Sequence, residues 1–422
     1  MSRSVVVGPL SSVRRLILAV FLVGCSSDIV QIGPPDAKVR DAGEARDGGA
    51  PDAGVRDAGA RDAGNLEFGC PERITPVVRH VLTDVAPELP ARVAYEGERW
   101  FATYGRVAGT STSVGYVVVE ANTVVQDDLL PMDGPIVSGP HLSPIPGFGF
   151  MAVTRVGSAT TGAVHTEAWI GDEPPARRSF EWSDRFRLDN AIAAGSSLVL
   201  AGTSTDGYAV LDNITYSGGR AGFGRRSLEP FAPVYETRYA VRGTGRWRFD
   251  LQDDFFNPQL QTVFAVPITR DGVGNGWAPA TVCGTHVSFD VAAVDRERAL
   301  IASDCTRLTS LQRQSFAVGD ENFGLRREME PRVPSRVAHD GSTVYWLQWP
   351  DGEDRAVLRA FSESLSETYL EEAFVPTARA GGTPRSADLV VAGGTVDHIA
   401  VIATWSNPPR GELLIFEGCG LR

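Results

Sequence analysis

The chain has 422 residues, of which 43% are hydrophobic, and its net charge at pH 7 is −12. This length supplies enough apolar side chains for one large domain or two smaller ones. The acidic balance repels phosphate backbones at long range, and no basic run follows the first 25 residues, so we expect no nucleic-acid partner.

The first 24 residues have the order of a secretory signal. Arg3, Arg14 and Arg15 precede an apolar run at residues 16–23. Eight apolar residues cannot span a bilayer, which needs about 20 in a helix. We therefore interpret residues 1–24 as a signal peptide and expect the rest of the chain outside the cytoplasm.

The apolar run ends in a leucine, a valine, a glycine and Cys25, and this order resembles the lipobox of bacterial lipoproteins. In that family the cysteine sulfur receives a diacylglyceryl group, cleavage follows before the cysteine, and the new amino terminus is usually acylated. The resemblance implies lipidation of Cys25, with palmitate as the acyl label, and a cell-envelope location. Two serines follow, and the sorting rule of such lipoproteins implies an outer membrane rather than an inner one. The alternative is an ordinary signal peptide with an incidental cysteine.

Residues 25–69 form the predicted tether between Cys25 and the folded domain. Asp-Ala-Gly recurs there four times, and large apolar side chains are almost absent. Such a segment cannot bury enough surface to offset its backbone entropy, so we expect disorder and a reach of roughly 36 Å. Calcium binding by the aspartates is the alternative, but interleaved arginines oppose it.

Residues 70–422 are predicted to be nearly all β. Short runs of Val, Ile, Phe, Tyr and Trp are broken by Gly, Asp, Asn and Pro, with hardly any helical periodicity. A hairpin pattern, in which two small or aliphatic residues precede a turn and an apolar strand, recurs with a period near 50. Its copies begin at residues 93, 142, 192, 240, 292, 337 and 391.

The repeat predicts a β-propeller of seven blades, and it resembles the kelch and WD40 propellers in architecture only. Residues 74–82 are expected to form the outer strand of the last blade beside residues 411–417, so that strands from both termini close the ring. A pair of β-sandwiches with similar hairpins is the alternative. The third repeat position predicts no polar ring in the channel, because it holds Tyr95, Ala194, Arg242, Val294, His339 and Gly393.

Once Cys25 is lipidated, four cysteines remain for two structural disulfides in an oxidising compartment. Cys70 opens the folded domain and Cys419 closes it, so they are expected to meet where the ring closes. Cys283 and Cys305 flank the hairpin near residue 292, whose antiparallel register is expected to bring them together.

The sequence contains no motif that clearly indicates a catalytic or metal site. The six histidines lack metal-ligand spacing, and no nucleophile elbow or phosphate-binding glycine loop is present, so we expect no metal and no cofactor. Acids cluster after predicted strands, where they are usually solvated but could also serve an enzyme or hold calcium. The clusters are Asp127 and Asp128; Asp250, Asp253 and Asp254; and Asp351, Glu353 and Asp354.

Three tryptophans near strand ends, Trp346, Trp349 and Trp405, are candidates for contact with a ligand, or else for packing between blades. The function we expect is a non-enzymatic, lipid-anchored binding module with a protein or glycan partner. The alternatives are a hydrolase or lyase that uses carboxylates at the channel mouth, with Asp250, Asp253, Asp254 or His339 brought together, and a purely structural envelope component. The sequence leaves the oligomeric state open.

Overall fold

The domain that contains the predicted repeats consists of β-strands and their connections wherever the structure describes it. The computed structural model describes residues 68–132, 134–145, 149–157, 164–171, 176–180, 186–194, 197–204, 209–215, 226–228, 234–242, 245–254, 257, 259–269, 272–273, 278–283, 286–305, 308–316, 323–327, 335–350, 355–375 and 384–421. Within these ranges all regular elements are strands, and none is a helix that could cross a membrane. Cys25 and the predicted signal peptide lie outside the described residues, as does almost all of the predicted tether.

The described chain begins with two strands, β1 (Phe68–Gly69) and β2 (Pro76–Leu82). Three four-stranded antiparallel sheets follow in chain order. Sheet 1 contains β3 (Arg92–Glu96), β4 (Arg99–Ala108), β5 (Ser111–Glu120) and β6 (Thr123–Leu130). Sheet 2 contains β7 (Ile136–Ile145), β8 (Gly149–Gly157), β9 (Val164–Gly171) and β10 (Ala176–Phe180). Sheet 3 contains β11 (Phe186–Ala194), β12 (Ser197–Ser204), β13 (Ala209–Thr215) and β14 (Arg226–Leu228).

Four further antiparallel sheets complete the domain. Sheet 4 contains β15 (Val234–Arg242), β16 (Gly245–Asp253), β17 (Gln261–Thr269), β18 (Gly272–Val273) and β19 (Ala278–Cys283). Sheet 5 contains β20 (His286–Ala293), β21 (Arg298–Cys305), β22 (Leu308–Ser315) and β23 (Phe323–Arg327). Sheet 6 contains β24 (Arg336–His339), β25 (Thr343–Gln348), β26 (Ala356–Ser362) and β27 (Thr368–Val375). The closing sheet contains β28 (Ser386–Ala392), β29 (Val396–Ser406) and β30 (Pro409–Leu421), together with β1 and β2.

The first strands of the sheets contact one another in sequence: β3 with β7, then β11, β15, β20, β24 and β28, and β28 returns to β3. This arrangement is a β-propeller, which confirms the predicted fold class. Each predicted hairpin copy coincides with the first two strands of one sheet. The repeat was detectable because every sheet needs the same apolar hairpin at its inner edge.

Apolar cores lie between neighbouring sheets. The central strands β8 and β25 are buried along almost their whole length, since both of their faces are covered by another sheet. Between sheet 6 and the closing sheet, for example, Leu347, Leu358, Val401 and Leu414 pack in one cluster. At about 25 cal/mol per Å² of apolar surface, burial in these layers supplies most of the free energy that holds the sheets together.

Strands from both ends of the domain share the closing sheet. β2 pairs with β30 in antiparallel register, with Leu82 opposite Gly411 and Pro76 opposite Phe416, so residues 74–82 lie beside residues 411–417 as the sequence predicts. β1 pairs with the end of β30. The predicted disulfide between Cys70 and Cys419 is present at this point. It links positions 349 residues apart in the chain.

The second predicted disulfide involves Cys283 and Cys305, near the open end of the hairpin in sheet 5. Cys305 is disulfide-bonded and 3% exposed. Its register partner in the hairpin of sheet 5 is His286, whereas Cys283 ends β19 in sheet 4. Cys283 thus lies three residues before the position opposite Cys305, on the flank of the hairpin that the sequence predicts. The side chain of Cys283 is outside the described residues, and its pairing with Cys305 stays a prediction.

Candidate functional site

The first strands of all seven sheets line a central cavity of about 700 Å³. This volume is in the range of pockets that bind small molecules. Charged and histidine side chains lie near both ends of the lining strands, and small apolar residues such as Ala94 and Ala292 lie between them. The cavity is therefore the candidate functional site.

Charges alternate around the channel where the first strands begin. One residue from each sheet forms what we call the charged ring, and six of its members line the cavity. In ring order these residues are Arg92, His141, Asp189, Arg238, Asp290, Arg336 and Asp388. Because seven is odd, the Arg/Asp alternation must fail once, and it fails at His141, between Arg92 and Asp189.

Arg238 and Asp290 form a fully paired part of the ring. The Arg238 guanidinium donates to Glu236 at 2.7 Å and to Asp290 at 2.9 Å, and it also lies over the ring of Phe289. The other Asp290 oxygen accepts from the backbone N–H of Val337 in the next sheet at 2.9 Å. Burial alone would lower the pKa of Arg238, but the two acids outweigh it and raise that pKa. This contact thus joins sheets 4, 5 and 6.

Asp189 is also fully paired. It accepts from the Arg187 guanidinium at 2.5 Å, from the Thr203 hydroxyl, and from the backbone N–H of Thr237 in the next sheet at 3.0 Å. Burial still raises the pKa of this carboxyl above its usual range, although Arg187 opposes the rise. Arg336 is satisfied differently, because it donates to the backbone carbonyl groups of Ala387 and Ser335.

Arg92 and Asp388 face the cavity without contacting each other. One Asp388 oxygen accepts from the backbone N–H of Val93 at 2.9 Å, and Arg92 donates only to its neighbour, the carbonyl of Ala91, at 3.2 Å. No ion pair within 4.0 Å joins the two side chains. Burial lowers the pKa of Arg92 and raises that of Asp388, and the opposite charge of each side chain only partly offsets the shift of the other.

His141 occupies the position where the alternation fails. It is 6% exposed, and its Nε2 has no hydrogen-bond partner among the described residues. Burial, with the charge of Arg92 in addition, lowers the pKa of His141 to about 3, and a backbone hydrogen bond at Leu188 only partly offsets this. The imidazole is therefore neutral at pH 7 and adds a polar but uncharged group beside Arg92.

Arg242 and His339 lie on the same channel wall, where the first strands end. The Arg242 guanidinium contacts the His339 ring and donates to the backbone carbonyl groups of His339 and Asp340. Burial and the positive charge of Arg242 lower the pKa of His339 to about 4. His339 is thus neutral at pH 7 and fixed against an arginine.

Two carboxyl groups, Asp340 and Asp397, share a hydrogen bond near this end of the channel. Burial and that bond raise the pKa of Asp397 to about 7. Burial also acts to raise the pKa of Asp340, but hydrogen bonds from Asp397 and from the turn N–H groups of Ser342 and Thr343 lower it overall. The Tyr345 hydroxyl donates to Asp397, and Asp397 is 3% exposed and does not line the cavity. The pair joins sheet 6 to the closing sheet.

The acids predicted as an enzymatic cluster do not converge. Asp250 is buried against Thr237 and Arg248, Asp253 accepts from the Tyr235 hydroxyl at 2.9 Å, and none of the three acids in this cluster lines the cavity with His339. Asp250 and Asp253 are three positions apart in β16 and therefore point to opposite faces of the strand, and Asp254 follows the end of the strand.

The other two acid clusters give no site either. Asp127 bonds His80 and Arg106, and so ties β2 of the closing sheet to sheet 1. Asp351, Glu353 and Asp354 lie outside the described residues. Within the described part of the chain, no three His, Cys, Asp or Glu side chains are grouped as metal ligands.

The three candidate tryptophans are packing residues. Trp346 and Trp349 are 0% and 1% exposed, and Trp405 is 3% exposed. Trp346 packs between sheets 5 and 6, and the other two pack between sheet 6 and the closing sheet. The prediction of ligand contact is therefore corrected, because buried rings of this kind fill the space between sheets.

Sequence reasoning missed the charged ring. The third repeat position predicts no polar ring, but the ring comes from residues that lie one to three positions before each repeat start. A β-bulge between Leu188 and Asn190 contributes to this variable offset. A search for one charged residue shortly before each hairpin would have found it.

Comparisons with known proteins agree on the fold. No family model and no curated protein matches the chain. Among solved structures, a puromycin hydrolase matches with a TM-score of 0.52 at 17% identity, over 75% of this chain and 50% of that one. A Mycobacterium tuberculosis puromycin-hydrolyzing peptidase matches with a TM-score of 0.50 at 13% identity, over 81% of this chain and 52% of that one. Hydrazine synthase of Kuenenia stuttgartiensis matches with a TM-score of 0.52 at 14% identity, over 80% of this chain and 97% of that one.

The present chain thus spans about half the length of the two puromycin-hydrolysing structures. TM-scores of 0.50–0.52 at identities of 13–17% show a shared fold alone, and the puromycin-hydrolysing structures and hydrazine synthase are named for different reactions. Propellers carry many unrelated functions, so a function for this chain has to come from its own cavity.

Proposed function

We propose that this protein is an extracytoplasmic, lipid-anchored binding module whose ligand or partner engages the propeller channel. The observation that carries the binding function is the cavity of about 700 Å³, which presents charges of both signs. A rigid pocket with a few placed polar groups is the usual form of a ligand site.

The anchor is supported by the sequence at Cys25 and its preceding apolar run. Two or more acyl chains, at about 0.8 kcal/mol for each buried methylene, would hold the protein on a membrane, with the outer membrane favoured. In labelled-palmitate experiments we expect incorporation into the full chain and its loss in Cys25→Ala. Label that persists in that variant would contradict the anchor without bearing on the channel.

The binding function is tested by what the full chain retains on purification. We expect a small molecule to be released on denaturation and detected by mass spectrometry. Ala292 lines the cavity, so Ala292→Trp should fill the channel and abolish this release. Ser111→Ala on the exposed β4–β5 turn is the matched control and should change nothing. Equal release from both variants, or none from the wild type, would refute channel binding.

A hydrolase or lyase is the second candidate, favoured by the pKa of about 7 at Asp397. Groups with pKa near neutrality can exchange protons with substrate. The burial of Asp397 and its bond to Tyr345 oppose this role. We expect no hydrolysis of puromycin or of aminoacyl anilides, and turnover that Asp397→Asn removes would reverse the order of the two candidates.

A further inference from the structure

The part of the charged ring made by Asp388, Arg92 and His141, which we call the open arc, lacks the pairing found in the rest of the ring. Arg238, Asp290, Asp189 and Arg336 each have two or more hydrogen bonds within the protein. In the open arc, Arg92 Nε and Nη2, Asp388 Oδ1 and His141 Nε2 have no partner among the described residues.

Unpaired charges in such a place are costly. Arg92 and Asp388 are half-buried, and a charge that has lost part of its water is stabilised when hydrogen bonds or an opposite charge replace that water. Arg92 and Asp388 lie on adjacent first strands and both line the cavity, so one bound molecule could reach both. The open arc is therefore prepared for a ligand that brings its own charges.

The signs of these charges select the class of ligand. A simple anion on Arg92 would be repelled by Asp388, and a simple cation on Asp388 would be repelled by Arg92. Adjacent opposite charges on one small molecule satisfy both side chains at once, and a guanidinium pairs with a carboxylate through two parallel hydrogen bonds. His141, which is neutral, offers a further polar atom beside Arg92 and leaves one positive and one negative charge in the open arc.

We propose that the open arc binds the α-amino acid group of a zwitterionic ligand, with its carboxylate on Arg92 and its ammonium on Asp388. The cavity of about 700 Å³ is much larger than this group, so a free amino acid or a larger molecule that ends in one fits the site. The binding function proposed above is the premise, and the zwitterion is the added specificity.

Isothermal titration of the full chain in detergent with L-leucine, L-glutamate, L-lysine and L-phenylalanine tests this site. For the amino acid that binds best, the deaminated acid and the amide are the matched probes, since each lacks one of the two charges. We expect at least about tenfold weaker binding for each analogue, which corresponds to about 1.4 kcal/mol. Equal binding of an analogue would overturn the assignment.

Variants place the site within the cavity. Arg92→Ala and Asp388→Asn are each expected to weaken binding of the amino acid at least about tenfold, whereas Arg92→Lys keeps the charge and should lose less. Arg296→Ala is the control, because that side chain is 76% exposed on the turn between β20 and β21. Binding that survives in Arg92→Ala would refute the site.

The experiments distinguish failure of the proposed zwitterion site from failure of the proposed channel binding. If none of the amino acids binds at 10 mM and a different compound is released from the wild type but not from Ala292→Trp, the channel binds a ligand and the zwitterion is wrong. If nothing is released and no amino acid binds, both proposals fail.

Discussion

The charged ring has two parts, and the Arg and Asp side chains differ between them in how many hydrogen bonds they make within the protein. From Asp189 to Arg336 each charge is held by partners within the protein, and Asp189 and Asp290 also bond a backbone N–H of the following sheet. In the open arc, Asp388 makes the same bond to Val93, but its second oxygen and most of the Arg92 guanidinium have no partner in the described part of the chain. One part of the ring therefore stabilises the fold, and the other is suited to a ligand.

Alternating charges cannot close around seven positions, and the mismatch falls at His141 in sheet 2. The open arc extends from there through sheet 1 to the joint in the closing sheet, where the chain ends meet. That joint is strengthened in other ways: by the disulfide, by the strand pairing of β2 with β30, and by the bond from Ala91 N–H to the Ser386 hydroxyl at 2.8 Å. We infer that these contacts allow the open arc to keep unpaired charges.

Removal of the disulfide tests this inference with the largest expected effect. For Cys70→Ser/Cys419→Ser, the loop-entropy relation gives a loss of about 6 kcal/mol in the free energy of unfolding, as an upper bound. Urea unfolding measures the loss, and hydrogen exchange should accelerate first in β28 and β3. Faster exchange confined to β20 and β24 would contradict a special role of the disulfide at the open arc.

Removal of the Asp290 carboxylate from the paired part should destabilise the protein more than removal of the Asp388 carboxylate from the open arc. Asp290→Ala removes one of the two acids that pair with the Arg238 guanidinium and leaves the Val337 N–H without its acceptor, so we expect a loss of about 3–5 kcal/mol. Asp388→Ala removes one backbone bond and should cost about 1–3 kcal/mol. Urea unfolding of both variants gives the comparison. Equal losses would mean that the open arc is structurally paired after all.

The pH dependence of the free energy of unfolding tests the low pKa of His141. Its pKa is about 3 in the folded protein and 6.5 ordinarily, so between these values the unfolded chain binds more protons. This group therefore makes the free energy of unfolding fall as the pH drops below 6.5, by at most about 1.4 kcal/mol per pH unit. His141→Gln should flatten the profile measured by urea unfolding at pH 4–7. An unchanged slope would show that His141 gains a proton in the folded state.

Asp397, near the opposite end of the channel from His141, should change the pH dependence of the free energy of unfolding in the opposite direction. Its pKa is raised to about 7, so the folded protein binds more protons between pH 4 and 7, and its contribution to stability falls as the pH rises. Asp397→Asn keeps the size of the side chain and should remove this fall. The effect should be smaller than that of His141, because Asp340 shares the proton. Thermal unfolding from pH 4 to 8 measures it, with Asp128→Asn on exposed β6 as the control.

The sequence predicted the propeller and the Cys70–Cys419 disulfide from local signals. Each hairpin repeats the same alternation of apolar strand and turn because each sheet must bury the same inner edge, so the pattern survives along the chain. The two cysteines could be paired because they bracket the repeats. The assignment of Cys25 as a lipid anchor comes from its immediate neighbours and stays a prediction.

Only the tertiary structure decided which residues form a site. Arg92 and Asp388 are nearly 300 residues apart, and they meet because ring closure sets β28 beside β3. A single residue of register moves a side chain to the other face of its strand, so small offsets between repeats hid the ring from the sequence. Whether a charge is paired depends on partners from other sheets, and the local sequence does not indicate which of these distant residues will lie beside it.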